Sequence, residues 1–157
     1  LPAELMMNTK MKLLILFHSL IIFLVLISGC GSSVQTLEVL IHCDNDCNEN
    51  NAIVVKIFQL KNSDKFEHSS FESLLKDPDG VLGEDLIPSA KYEKTMIPGE
   101  DFQLDNLELK TDAAFLGIIG DFNSPAKNGW MQVVPINSDL ENLKVLVHKN
   151  FLSTIKE

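Results

Sequence analysis

The chain has 157 residues, 45% of them hydrophobic and 22% charged, with 13 basic residues, all lysine, against 22 acidic ones and a formal net charge of −9. That profile excludes a disordered tail, a collagen-like fibre and a polytopic membrane protein. A pI near 4.8 also argues against nucleic acid as a partner, because phosphate binding needs a basic surface and this one repels it.

The first feature along the chain is Leu13 to Ile27, apolar at every position except His18 and Ser19. Lys10 and Lys12 supply a positive n-region, the apolar run an h-region, and Ile27-Ser28-Gly29-Cys30 a close of small residues, which together read as a secretory signal. The run is short for a membrane span, which needs about 20 apolar residues. Ile-Ser-Gly-Cys resembles a bacterial lipobox, and that resemblance implies that Cys30 is acylated on sulfur, becomes the first residue after cleavage and is then acylated on its amine. Residues 1–29 are therefore expected to be a signal peptide, with translation starting at Met6, Met7 or Met11. Residues 30–36 form the lipidated cysteine and a short polar spacer, and 37–157 one domain long enough to bury a core.

From Leu37 the pattern has period two: Leu37, Val39 and Ile41 face one way, as in a strand with one buried face. A second strand is predicted over Ile53 to Leu60. The segment between them, Cys43 to Asn51, has no aliphatic residue and is expected to be an exposed loop. One short helix follows, with Ser69 and Glu72 as a capping box and Phe71, Leu74 and Leu75 on its apolar side. Asp77-Pro78-Asp79-Gly80 is expected to end it. The remainder reads as strands near Lys91 to Ile97, Phe102 to Leu109, Phe115 to Phe122, Trp130 to Ile136, Leu143 to His148 and Phe151 to Ile155. Pro98-Gly99 marks one turn, and Ser124-Pro125 with Asn128-Gly129 another. Short strands separated by turn residues predict an all-β antiparallel sandwich. Phe115 to Gly120, almost continuously apolar, reads as a central strand covered on both faces.

Chemical motifs are few. Cys43 and Cys47 are the thiols left once Cys30 is lipidated, and export puts them in an oxidising compartment. A disulfide between them is therefore expected, with free thiols, or a metal clip with His42 for which the local sequence offers no fourth ligand, as the alternatives. Asp44-x-Asp46-x-Asn48 imitates the opening of a calcium loop but fails at its sixth position, Glu49, and its twelfth, Val55. His42, His68 and His148 stand apart, with no metal spacing. Neither a nucleophile elbow nor a phosphate loop nor a dinucleotide fingerprint is present. The sequence therefore predicts no catalytic residue, cofactor or metal, and Trp130 reads as core or interface rather than as a ligand platform.

Several segments resemble one family, the outer-membrane lipoproteins of bacterial type VI secretion known as TssJ, VasD or SciN. Ile53 to Lys61 is similar to the family's second strand, and Phe66 with Phe71-Glu72-Ser73-Leu74 to the aromatic segment leading into its short helix. Gly83-Glu84-Asp85-Leu86, Tyr92-Glu93 and Ile97-Pro98-Gly99-Glu100 follow its Gly-x-Asp-Leu, strand and Pro-Gly-Glu order. Phe115-Leu116-Gly117-Ile118-Ile119 and Trp130-Met131-Gln132-Val133-Val134-Pro135 are similar to two later strands. The paired cysteines, and Asn-Ser-Pro between Asn123 and Gly129, depart from the family pattern.

The resemblance implies a transthyretin-like sandwich with one short helix after the second strand, anchored by Cys30 to the outer membrane and facing the periplasm. It implies an adaptor, not an enzyme, that binds the periplasmic C-terminal domain of TssM and is a monomer alone but multimeric within the membrane complex. The partner residues it points to lie in the first loop: Asp44, Asn45, Asp46, Asn48, Glu49 and Asn50. The rival reading is a free-standing periplasmic lipoprotein that binds a small ligand or a carbohydrate.

Overall fold

A computed structural model describes residues 34–156. The signal segment, Cys30 and the start of the spacer lie outside the described residues. Eight strands form two four-stranded sheets. The first has the order β4-β1-β7-β8 and the second β3-β2-β5-β6, where β1 is Thr36–Cys43, β2 Ile53–Leu60, β3 Leu86–Met96 and β4 Asp101–Glu108. β5 is Phe115–Gly120, β6 Met131–Pro135, β7 Asn142–Val147 and β8 Leu152–Lys156.

The period-two reading explains the core. Leu37, Val39, Ile41 and Cys43 are buried on β1 and meet Leu143, Val145 and Val147 of β7 on the same inner face. Opposite them Val55 and Ile57 on β2 and Leu116 and Ile118 on β5 close the sandwich. Gln59 is the polar exception and is nearly fully buried. Its amide donates to the Glu108 carbonyl and accepts from the Lys110 amide, so one side chain ties the second sheet to the first and is fully satisfied in doing so.

Three features differ from the expectation. The sandwich is not antiparallel throughout: β1 and β7 pair in parallel, Cys43 opposite Val147, because each enters the first sheet from the same end. The inserted helix is one of several helical turns, α1 Asp64–Glu67, α2 Phe71–Lys76, α3 Pro78–Leu82 and a 3₁₀ turn Gly83–Asp85. Ser70, not Ser69, caps α2, accepting from the Ser73 amide at 3.2 Å, while the Ser69 hydroxyl donates back to the Lys65 carbonyl. Asp77-Pro78-Asp79-Gly80 ends α2 at Lys76 as expected and in addition starts α3: the Asp77 carboxylate accepts from Gly80 and Pro78 takes the first turn, where its missing N–H costs nothing. Finally β3 begins at Leu86, five positions before the predicted Lys91.

The helical turns cover the outer face of the second sheet. Phe66 packs on Phe58, ring centroids 6.2 Å apart, directly over Gly117, where an added Cβ would lie 2.7 Å from the Phe66 ring. This is why β5 is apolar on both sides and why a glycine sits at its middle.

Strand directions place the connectors. β1 ends, β2 begins, β3 ends and β4 begins at one end of the sandwich, and the β5–β6 and β7–β8 connectors return there too. The helical insert leaves β2 and rejoins β3 at the other, where Val34 and the C-terminal residues of β8 also lie, and its Phe71 reaches across the sheet to Trp130.

Candidate functional site

The four connectors gathered at that end are laced together by backbone hydrogen bonds. The Cys43 amide donates to Glu100 and the Gly99 amide to Cys43, so the β3–β4 turn sits beside the β1–β2 loop. On the loop's other side Asp44 donates to Val147 and Asn48 to His148. Ala126 donates to Asn150 and Leu152 to Gly129, bringing the β5–β6 loop against the β7–β8 turn.

Within the β1–β2 loop the structure joins Cys43 to Cys47, with Cα atoms 5.7 Å apart. The chain then makes a tight turn over Cys47–Asn50 in which Asn48, Glu49 and Asn50 have φ of 46°, 57° and 64°. Asparagine adopts this left-handed region more readily than most residues, since its short amide can bond locally.

The candidate residues do not share one fate. Asn45, Asp46, Glu49 and Asn50 are exposed and Asp44 is half-buried. Asn48 is only 1% exposed, which corrects its placement on a partner surface. Its side-chain amide donates to the Ala52 carbonyl at 2.7 Å, and its side-chain oxygen accepts from the Asn123 amide at 2.7 Å. Cys47 is buried as well. The expectation that this composition cannot be buried fails at these two positions, because a satisfied amide and a bridged sulfur lose little on leaving water.

Histidines that stand apart in the sequence meet here. His148 Nδ1 lies 2.7 Å from Asp44 Oδ2 and its Nε2 2.8 Å from Ser153 Oγ. His42 Nε2 is 3.4 Å from Asp44 Oδ1 and its Nδ1 2.6 Å from Asp101 Oδ1. Asp44, within reach of both His42 and His148, fastens the root of the loop to both neighbouring strands. Among the described residues no group of three or more His, Cys, Asp and Glu side chains is arranged to hold a metal ion.

On the other flank, Glu100 accepts from the Ile97 amide at 2.9 Å and pairs with Lys94 at 3.0 Å. The Lys94 ammonium, then the Ile97 N–H, hold this carboxyl below the usual carboxylate range. Gly99, at φ 80°, completes the turn.

Two apolar side chains stand out at this end: Ile97, 58% exposed, and Phe151, 41% exposed. Neither was singled out by sequence reasoning, and neither carries a local signal, since each looks like an ordinary strand residue beside a turn. The histidine cluster was missed because its members come from β1, β4, the β7–β8 turn and β8. Trp130 is in the core, its ring edge-on to Phe71 with centroids 5.2 Å apart.

The chain matches the family model of type VI secretion lipoproteins, described as VasD, EvfM and TssJ, over residues 35–150. No curated protein matches it. Among solved structures it is similar to the T6SS lipoprotein TssJ1 of Pseudomonas aeruginosa, with 16% identity and a TM-score of 0.72 over 80% of this chain and 98% of that one. A chain from a structure described as a type VI membrane complex gives 24%, 0.68, 78% and 99% in the same order. A chain from a structure described as the T6SS protein TssM C-terminal domain from EAEC gives 23%, 0.64, 79% and 100%. At these identities the structural likeness carries the fold, a β-sandwich. The family match runs from β1 through β7 into the β7–β8 turn, and by it the chain belongs to the type VI secretion lipoproteins of the TssJ and VasD family.

Proposed function

We propose that this lipoprotein is an adaptor of the type VI secretion membrane complex, held to the outer membrane through acylated Cys30, and that its loop end binds the periplasmic C-terminal domain of TssM. The observation that carries the reading is the opposition of the two ends. The chain enters β1 at Thr36, and the connectors meet at Cys43 and beyond, a span of about 25 Å for eight strand residues. A lipid at Cys30 followed by a short spacer puts the entering end against the bilayer and turns the loop end outward. Two or three acyl chains hold such an anchor, each buried methylene contributing about 0.8 kcal/mol. Family membership supports the reading, as do the matched chains from structures described as a membrane complex and as a TssM domain.

Asp46 and Glu49 are exposed and form no ion pair among the described residues, which suits them to steer a basic partner. The test has two arms. Cys30→Ser should lose incorporation of a labelled fatty acid and leave the outer-membrane fraction. The full chain should bind the periplasmic domain of a TssM protein from the same bacterium, and Asp46→Asn with Glu49→Gln should slow association several-fold and flatten its salt dependence at unchanged thermal stability. A fully acylated chain with no affinity for that domain would sink the adaptor role and leave the small-ligand reading, whose candidate site is the depression of about 340 Å³ lined by Glu38, Leu40, Gln103 and Lys144 on the first sheet.

A further inference from the structure

We infer that the loop end binds through two apolar anchors, Ile97 and Phe151, set on either side of the acidic β1–β2 loop, and that it fits a protein face with two apolar recesses flanking a basic ridge. The inference rests on the adaptor reading and adds to it which side chains supply the affinity.

Single exposed apolar residues are ordinary on a protein surface, so exposure alone decides nothing. What separates these two is how they are held. Ile97 opens a turn whose backbone is fixed three times over: its N–H by the Glu100 carboxylate, its carbonyl by the Glu100 amide, and the adjoining Gly99 amide by the Cys43 carbonyl. Phe151 lies against the His148 ring, centroids 4.3 Å apart and planes within 27°. Its carbonyl accepts from the His148 amide, and its neighbours on both sides are bonded to the β5–β6 loop. Neither side chain can fold back into the core, which is already filled, and neither turn needs to be ordered on binding. An apolar group displayed on a pre-ordered turn loses less entropy on docking than one on a mobile loop.

Charge sets the occupant between them. The loop separating the anchors carries Asp46 and Glu49, both exposed, with Asp44 and Asp101 at its root occupied by histidines. A second copy of this chain would set these acids against their equivalents, and an anionic membrane surface would be repelled. A folded protein face with Lys or Arg between two apolar recesses satisfies both parts of the surface. Apolar anchors seated in recesses act mainly on dissociation, whereas exposed charges act mainly on encounter.

The experiment uses the full chain in detergent and the periplasmic domain of a TssM protein from the same bacterium. Ile97→Ser and Phe151→Ser should each weaken binding on the order of thirtyfold, through faster dissociation and with the salt dependence kept. Asp46→Asn with Glu49→Gln should act on association and on salt dependence. Thermal unfolding of the free variants accompanies each measurement. Ile97 is the more exposed of the two, so its variant keeps the test valid where Phe151→Ser loosens the turn. If the unsubstituted chain binds and Ile97→Ser binds within twofold of it, the anchors are wrong while the adaptor role survives. Self-association of the chain abolished by Ile97→Ser would assign the surface to a second copy and overturn the inference. No binding by the unsubstituted chain removes the adaptor role and this inference with it.

Discussion

The two connectors that flank β2 are both polar in composition, yet they are held by different physics. The β2–β3 insert, 61–85, sends Phe66, Leu74 and Leu82 into the core and keeps its charges outside, with Lys65 beside Asp85 at 3.2 Å. The β1–β2 loop, 44–52, has no such side chain to bury. It is fixed by a bridge, a buried asparagine amide and a carboxylate shared between two histidines. An insert held by burial spends its apolar residues on its own fold. A loop held by polar ties keeps its outward face free, and that face is the one pointing away from the chain's entry into the sandwich.

The comparison breaks most visibly at Phe66. Phe66→Ala removes the ring lying over Gly117 and against Phe58, and truncating a buried phenylalanine costs about 3–5 kcal/mol. That is a large share of the roughly 5–15 kcal/mol available to a domain. Urea unfolding should show a much lower midpoint, while the residual folded protein still binds its partner, since Phe66 lies over the middle of β5 and not against the connectors. A loss of unfolding free energy under about 1 kcal/mol would mean that the insert does not seal the sheet.

Asn48→Ala should come next. It leaves the Asn123 N–H and the Ala52 carbonyl without partners and puts alanine at φ 46°. Unmade buried bonds cost about 1–3 kcal/mol. The informative readout is hydrogen exchange at Asn123: faster exchange there, with the core of the sheets unchanged, shows that the amide couples the two loops. Replacing Cys43 and Cys47 together by serine should cost about 2 kcal/mol by loop-closure entropy over so short a separation. Its larger effect falls on partner association, because an unbridged loop must be ordered on binding. Mass spectrometry of the unreduced mature protein showing two free thiols would remove the basis for this prediction.

How much of this was legible in the sequence follows the same division. Wherever burial decides, the pattern could be read: β2 spans the predicted Ile53 to Leu60, β1 follows its alternation, and the apolar run at β5 marks a strand covered on both faces. Helical turns of four to six residues, such as Asp64–Glu67, are too short to show a period, so the insert was reduced to one helix. The parallel pairing of β1 with β7 has no local signature, because strand direction is set by which end each connector leaves from. Polar ties are the least legible of all. Asp44, His42, Asp101 and His148 meet only once both ends of the first sheet's strands are aligned, and Asn48 looks like its neighbours Asn45, Asn50 and Asn51 until one amide is seen to face inward.

The smallest effect sharpens the comparison on the far flank of the loop. Glu100 is held below the usual carboxylate range, first by Lys94 and then by the Ile97 N–H. A carboxyl with a depressed folded-state value contributes stability above its ordinary value and loses that contribution as pH falls through the depressed one. Its side chain and that of Lys94 are about a quarter exposed, so solvent screens the pair. Glu100→Gln should therefore lower the melting temperature at pH 7 by no more than about 4 °C. The gap between variant and parent should shrink toward zero on acidification below the ordinary carboxylate range. A gap that stayed constant down to pH 2 would show that the turn is held by its backbone bonds and not by the charge. In that case Ile97 would be displayed equally well at any pH, and partner binding at low pH would separate the two cases, persisting in one and weakening in the other.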